Sequence, residues 1–238
     1  LGRSLYPRDF IIALPKPEGY FGLEEFFPDV ESETENLSSQ IHIISPEEAL
    51  ELRSLDEEYE DVRTADIPAG LRLAMMDYYL SGAMRLMRDQ APFHHSMLVH
   101  AKHTKSNQAP IFDRVQNVVE IWRTEIPSAY SADAIELRKQ FQARWNATFL
   151  PLLKEKSEWV EVEKALIQFT LKGVLPRLIN SDSGDDLEYE KHANGLFVIA
   201  VGGNRLSRGL TLEGLCTTYF VRETKMYDTL TQMGRWFG

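Results

Sequence analysis

A single cysteine, Cys216, stands among 238 residues. It can form no internal disulfide, and the Cys-x-x-Cys spacing of a zinc site is absent, both of which fit a reducing cytoplasm. Cys216 is expected to pack as a small apolar residue. Long hydrophobic runs are also missing: the longest, such as Gly195-Leu196-Phe197-Val198-Ile199-Ala200-Val201, fall far short of the ~20 residues a membrane span needs. No membrane partner is expected. A charged segment followed by an apolar one does not occur at the start, so no secretory signal is expected within these residues, and the opening on Leu1 rather than Met suggests a trimmed fragment. Gly-Lys-Ser and Gly-Lys-Thr are absent throughout. Without a phosphate-cradling loop of that kind, this chain alone is not expected to hydrolyse ATP.

What is present is an ordinary globular composition, with 43% hydrophobic residues, enough for one large core or two small ones. The net charge of -10 is unevenly spread: fifteen carboxylates between Glu24 and Asp66 face only Arg53 and Arg63. The rest of the chain is slightly basic, so a local cationic strip for nucleic acid is compatible with the acidic total.

Residues Asp9 to Pro15 read as a buried strand stopped by prolines. Ser45-Pro46-Glu47-Glu48 combines an N-cap, a proline at the first helical position and early carboxylates, predicting a charged helix to about Asp61. From Pro68, the residues Leu71, Met75, Tyr78, Tyr79, Met84, Leu86 and Met87 recur at helical spacing, and the methionines are read as core. Ser96 to Ala101 reads as a strand, and Ile111, Val115, Val118, Val119 and Trp122 as one helix face. Two further helices are predicted, from Ser131 to about Leu150 (Ile135, Leu137, Phe141, Trp145, Phe149) and from Trp159 to about Lys172. Short apolar runs at Arg177–Asn180, Leu196–Val201 and Cys216–Val221 then read as strands. Alternating strands and helices predict an α/β fold with a mostly parallel sheet.

The chemistry lies in Val201-Gly202-Gly203-Asn204-Arg205-Leu206-Ser207-Arg208-Gly209-Leu210-Thr211, a glycine-rich polar loop directly after a buried strand. Ligands sit beyond the carboxyl ends of strands in such sheets. Glycine permits close backbone approach, Ser207 and Thr211 offer hydroxyls, and Arg208 offers a forked cation for phosphate. After the strand at Cys216, the run Asp228-Thr229-Leu230-Thr231-Gln232-Met233-Gly234-Arg235 brings Gln232 and Arg235 together at a predicted helix end.

This order resembles motifs V and VI of superfamily 2 helicases. Arg208 and Gly209 match the Arg-Gly of motif V, and Gly234 and Arg235 match the first Gly-Arg of motif VI. Thr211 stands where many members carry aspartate. Gln232 lies one residue closer to Gly234 than usual, so Thr231 fills the standard glutamine slot. The same segment, with Asp9 to Tyr20 and His95 to His100, resembles the Z1 domain family, a bacterial family that carries an endonuclease label and joins a superfamily 2 ATPase to restriction and phage-defence systems. Asn180 to Asp185 also matches a loop of that family.

The resemblance implies a RecA-like fold with a large helical insertion at about 128-173. Residues 1-44 would close a first lobe and form an acidic linker, 45-93 a helical segment, and 94-238 the second lobe. It implies catalytic roles for Arg235 and Gln232, nucleotide contacts through Gly209, Thr211 and Gly234, and nucleic-acid coupling through Asn204, Ser207 and Arg208. The implied cofactor is ATP with Mg2+ in a full-length protein, with none tightly held by this chain. The implied partners are DNA, a missing N-terminal RecA-like lobe and defence-system effector proteins.

Other readings compete. Arg208 and Arg235 could form surface ion pairs, and Asn204 and Gln232 could cap a turn or helix. His94, His95, His100 and His103 could suggest a metal, but partner cysteines are missing and no metal is expected. Asp56-Glu57-Glu58 lacks the apolar strand of a Walker B box and reads as a solvated helix. Glu223-Thr224-Lys225 with Asp182, Asp185 or Asp186 could form a degenerate metal-dependent endonuclease motif. A third reading makes Ser45 to Lys172 a partner-binding helical module.

Overall fold

The computed structural model describes residues 41–54, 67–100, 105–153, 157–179, 187–203 and 212–221, together with Pro15 and Glu18. The chain divides into two units, Leu1–His42 with Gly234–Gly238, and Ile43–Met233. Nearly all described residues belong to the second unit.

Helix α1 (Pro46–Ser54) starts where the sequence signals it. Ser45 Oγ accepts from the Glu48 backbone N–H at 3.1 Å, and Pro46 occupies a position whose N–H would have no helical partner. Helix α2 (Ala69–Met87) buries Leu71, Met75, Tyr78 and Tyr79, together with Met76, Leu80 and Ala83. Met84, Leu86 and Met87 pack against the same core while half-buried. The methionines are therefore core-fillers, as their spacing predicts.

Strand β1 (His95–His100) is followed by α3 (Lys105–Glu125), α4 (Ala132–Arg144) and α5 (Trp159–Lys172), then by β2 (Leu175–Ile179), β3 (Phe197–Gly202) and β4 (Leu215–Phe220). A π turn, Trp145–Phe149, and a 3-10 turn, Leu150–Leu152, extend α4. The fold is α/β: the four strands form one sheet in the order β2-β3-β1-β4, and every pairing is parallel. Strands β1 and β3 occupy the centre and are buried on both faces. The near-continuous apolar run of β3 is the pattern such a strand requires.

Met97 and Val99 of β1, Phe197, Ile199 and Val201 of β3, and Tyr219 of β4 join one core with residues of α2, α3, α4 and α5. Its centre is aromatic. Tyr79 meets Trp122 and Phe169 edge-to-face, with ring centres 5.1 and 5.5 Å apart, a geometry favoured by the ring quadrupoles. Gly82 of α2 has no room for a side chain, because a Cβ there would overlap the Phe169 ring of α5. Arg144 at the end of α4 grips Asp77 of α2 with two parallel hydrogen bonds, Nε to Oδ1 at 2.7 Å and Nη2 to Oδ2 at 2.5 Å. That fork geometry fixes the two helices in register.

Two expectations need correction. Ile135 is 43% exposed, because the buried stripe of α4 runs through Ala134, Leu137 and Phe141 to Trp145, and Ile135 falls beside that stripe at 100° per residue. Cys216 is not an apolar core residue: it is exposed on the edge strand β4, with its sulfur against polar groups. Asp9 to Leu14 of the predicted strand, the extension of α1 to Asp61, the Asp56-Glu57-Glu58 box, the Asn180–Asp185 loop and Glu223-Thr224-Lys225 lie outside the described residues. Among the described residues, no helix is long and apolar enough to cross a membrane.

Candidate functional site

All four strands end on one row. Ile179 of β2 pairs with Gly202 of β3, Gly202 with His100 of β1, and His100 with Phe220 of β4. Because parallel pairs in register place their side chains on the same face, the rings of His100 and Phe220 project side by side. They stack with centres 5.1 Å apart and planes 30° from parallel. The pairing continues one residue further, since the Val221 N–H donates to the His100 carbonyl at 3.2 Å. Burial of His100, Ile179 and Gly202 makes this row a solid floor at the carboxyl end of the sheet.

Asn204, Ser207, Arg208, Gly209, Thr211, Gln232, Gly234 and Arg235 all lie outside the described residues. The structure therefore positions none of their side chains and brings no pair of them together. What it fixes is the start of their segments. The run 204–211 follows Gly203, one residue beyond β3, and 222–238 follows Val221, one residue beyond β4. Both begin at the carboxyl edge of a parallel sheet, where ligands of α/β folds bind.

The opposite, amino-terminal edge carries a dense polar network that sequence reasoning missed. Tyr78 Oη donates to the His95 carbonyl at 3.0 Å, and His95 Nε2 lies 2.9 Å from the Tyr78 carbonyl. A carbonyl can only accept, so Nε2 carries the proton and Nδ1 is left as acceptor, facing Arg85 Nη1 at 3.4 Å. Burial, reinforced by the Arg85 charge, lowers the His95 pKa to about 4 despite the Tyr78 carbonyl. The imidazole is neutral at physiological pH. Arg85 also donates to the His94 carbonyl at 2.7 Å and lies over the Phe93 ring at 3.9 Å, so its cation is fully used.

Cys216 Sγ sits 3.4 Å from His95 Nε2 and 3.5 Å from Ser81 Oγ. The residue as a whole is exposed, yet burial of the thiol pushes its pKa up. An edge strand whose backbone faces solvent and whose side chain turns inward accounts for both. A thiol held protonated in this way is a weak nucleophile. On the other face, Ser96 Oγ donates to the Glu213 carbonyl at 2.7 Å and lies 3.0 Å from Tyr189 Oη. His94 Nδ1 accepts from the Leu196 N–H at 3.0 Å, which commits that ring to structure as well.

Two glycines complete this edge. Gly195 and Gly214 have φ of 92° and 65°, the left-handed region that favours glycine. A Cβ on Gly195 would overlap the Phe93 carbonyl oxygen, and one on Gly214 the His94 carbonyl oxygen. The segment 93–95 is thus clamped between two backbones. Its only visible sign in the sequence is the His94-His95 doublet, which suggests a metal. Among the described residues, no group of three or more His, Cys, Asp or Glu side chains is placed to hold one. Among the described residues, the chemistry at this edge is hydrogen bonding that anchors strands.

No curated protein and no solved structure matches the chain. The Z1 domain family model matches residues 70–238, from the first turn of α2 through the four described strands to Gly238. That is more than half of the sequence, and the chain belongs to the Z1 domain family.

Proposed function

We propose that the chain supplies the second RecA-like lobe of an ATP-dependent superfamily 2 motor that moves on DNA, in the cytoplasm and in a bacterial restriction or phage-defence setting. The supporting observation is the single row on which all four parallel strands end. Two neighbours of the central strand β1 lead directly into the segments bearing Arg208 and Arg235. In this reading ATP with Mg2+ is held mainly by a first lobe outside the chain. Arg235 reaches its terminal phosphate and stabilises charge in the transferred group, with Gln232 beside it, a term that commonly supplies several powers of ten in rate. Gly209 and Gly234 let the backbone approach the nucleotide, and Thr211 offers it a hydroxyl. Asn204, Ser207 and Arg208 contact the DNA backbone, where a forked guanidinium suits phosphate. Effector proteins would act on DNA that the motor delivers.

The test is ATP turnover by the full-length protein with and without DNA. Arg235→Ala is expected to abolish turnover while nucleotide binding is kept, and Arg208→Ala to remove stimulation by DNA. Survival of turnover in Arg235→Ala sinks the assignment. Magnesium-dependent DNA cutting without ATP would favour a nuclease instead.

A further inference from the structure

Helix α1 meets the rest of the second unit along a narrow line. Pro46, Glu47, Leu50 and Glu51 are exposed, whereas Ile44 and Glu48 are half-buried and Leu52 is buried. Those three covered residues stand four apart, the spacing that puts them on one face. Ile44 and Leu52 pack on the hydrophobic core at the two ends of the line. Its middle is a carboxylate.

That carboxylate serves two elements. Tyr219 of β4, itself buried, donates its hydroxyl to Glu48 Oε1 at 2.6 Å. Burial and the carboxylate together push the Tyr219 pKa up, so the hydroxyl keeps its proton and remains a donor. The same carboxylate lies against the first turn of α2, where a Cβ on Gly70 would overlap both of its oxygens. Helix α2 begins after Pro68 with no side-chain cap and no acidic residue of its own in that turn. Glu48 thus brings the negative charge that a helix N-terminus favours, and Gly70 leaves the room for it.

We infer that α1 is a releasable strap, held down by the Glu48 carboxylate on Tyr219 and the first turn of α2, whose release lengthens the connection between the second unit and the residues before Ile43. Ile43 is where that unit opens. As a helix the nine residues of α1 span about 14 Å; extended, they reach about 30 Å. An element with so few buried groups opens at a lower free energy than β1 and β3, which are buried on both faces. The strap works in this way whatever reaction the protein performs.

Hydrogen–deuterium exchange of the full-length protein, read over residues 45–54 and over β1 and β3, tests the strap. In the parent, α1 should exchange at least about 100-fold faster than the two central strands. Glu48→Ala should speed α1 exchange about 10-fold and Tyr219→Phe about 5-fold, because each removes a hydrogen bond to a charged group. The double variant should add little to Glu48→Ala, since both remove one contact. Gly70→Ala keeps both partners but sets a methyl where the carboxylate sits; alanine suits a helix better than glycine, yet α1 should again exchange faster. Tyr219→Phe and Gly70→Ala carry the test if Glu48→Ala does not fold. Exchange of α1 within twofold of the parent in both Glu48→Ala and Tyr219→Phe overturns the role of the carboxylate, and protection of α1 equal to that of β1 and β3 overturns its release.

Discussion

The two edges of the sheet are built on opposite principles. At the amino-terminal edge, polar side chains are spent on the protein itself: Tyr78, Arg85, His95, Ser96 and Tyr189 all bond to neighbouring strands or helices, and two glycines allow backbones to touch. The carboxyl edge has instead a floor of Ile179, Gly202, His100 and Phe220 with few polar atoms, and the glycine- and arginine-rich text of the sequence begins just beyond it. The difference teaches that a histidine or arginine signals function only with its place in the sheet. His95 and Arg85 are anchors, while the segment carrying the proposed Arg208 leaves the sheet at the carboxyl end of β3, the edge where α/β sheets bind ligands.

The sharpest way to break this contrast is through the clamping glycines. Gly214→Ala places a side chain at positive φ and against the His94 carbonyl, so a loss of about 3 kcal/mol or more is expected. Urea unfolding measures it. Arg235→Ala, by contrast, should leave the unfolding midpoint unchanged, and a midpoint shift comparable to that of Gly214→Ala would erase the distinction between scaffold and site.

The next effect concerns pH. The His95 ring titrates at about 4 in the folded protein against 6.5 in an unfolded chain. Between those values the unfolded state binds the proton and the folded state does not, so stability is full above about 6.5 and falls as pH drops towards 4. Arg85 is the charged group facing the ring, with Cys216 and Tyr78 beside it; both stay uncharged in that window. The expected loss is on the order of 3 kcal/mol. Unfolding of His95→Gln across the same range should show a shallower slope, and an unchanged slope would place the acid sensitivity elsewhere.

Smallest is the reciprocal bond between α2 and β1. Tyr78→Phe removes the hydroxyl that the His95 carbonyl accepts, and should cost about 1 to 2 kcal/mol. Thermal melting reports the cost, while ATP turnover by the full-length protein should not change. A fall in turnover larger than the loss of stability would carry function to the amino-terminal edge.

Much of the scaffold is legible in the sequence because its signals are local. The helix predicted from Trp159 to Lys172 is α5, since Val162, Ala165, Leu166 and Phe169 repeat within a few residues. The cap at Ser45, the core methionines of α2 and the parallel arrangement follow from equally short patterns. What escapes is contact between distant segments. Nothing near Gly195 or Gly214 announces the carbonyls of Phe93 and His94, and nothing near Cys216 announces Ser81 and His95. Ile135 misleads because four apolar residues in one helix define the stripe and a fifth can sit beside it. The proposed site residues are legible only as motif, through order and residue type, and the sheet contributes the place from which they start.

Strand order has a consequence for how the protein is made. Strand β1 is synthesised early, but both of its hydrogen-bonding neighbours, β3 and β4, come from roughly a hundred residues further on, after three helices and β2 have left the ribosome. Until then its unpaired backbone is an exposed edge open to other chains. Helix α2 precedes β1 and in the fold engages it through Tyr78 and His95, so a packing partner for one end of the strand is synthesised before either neighbouring strand.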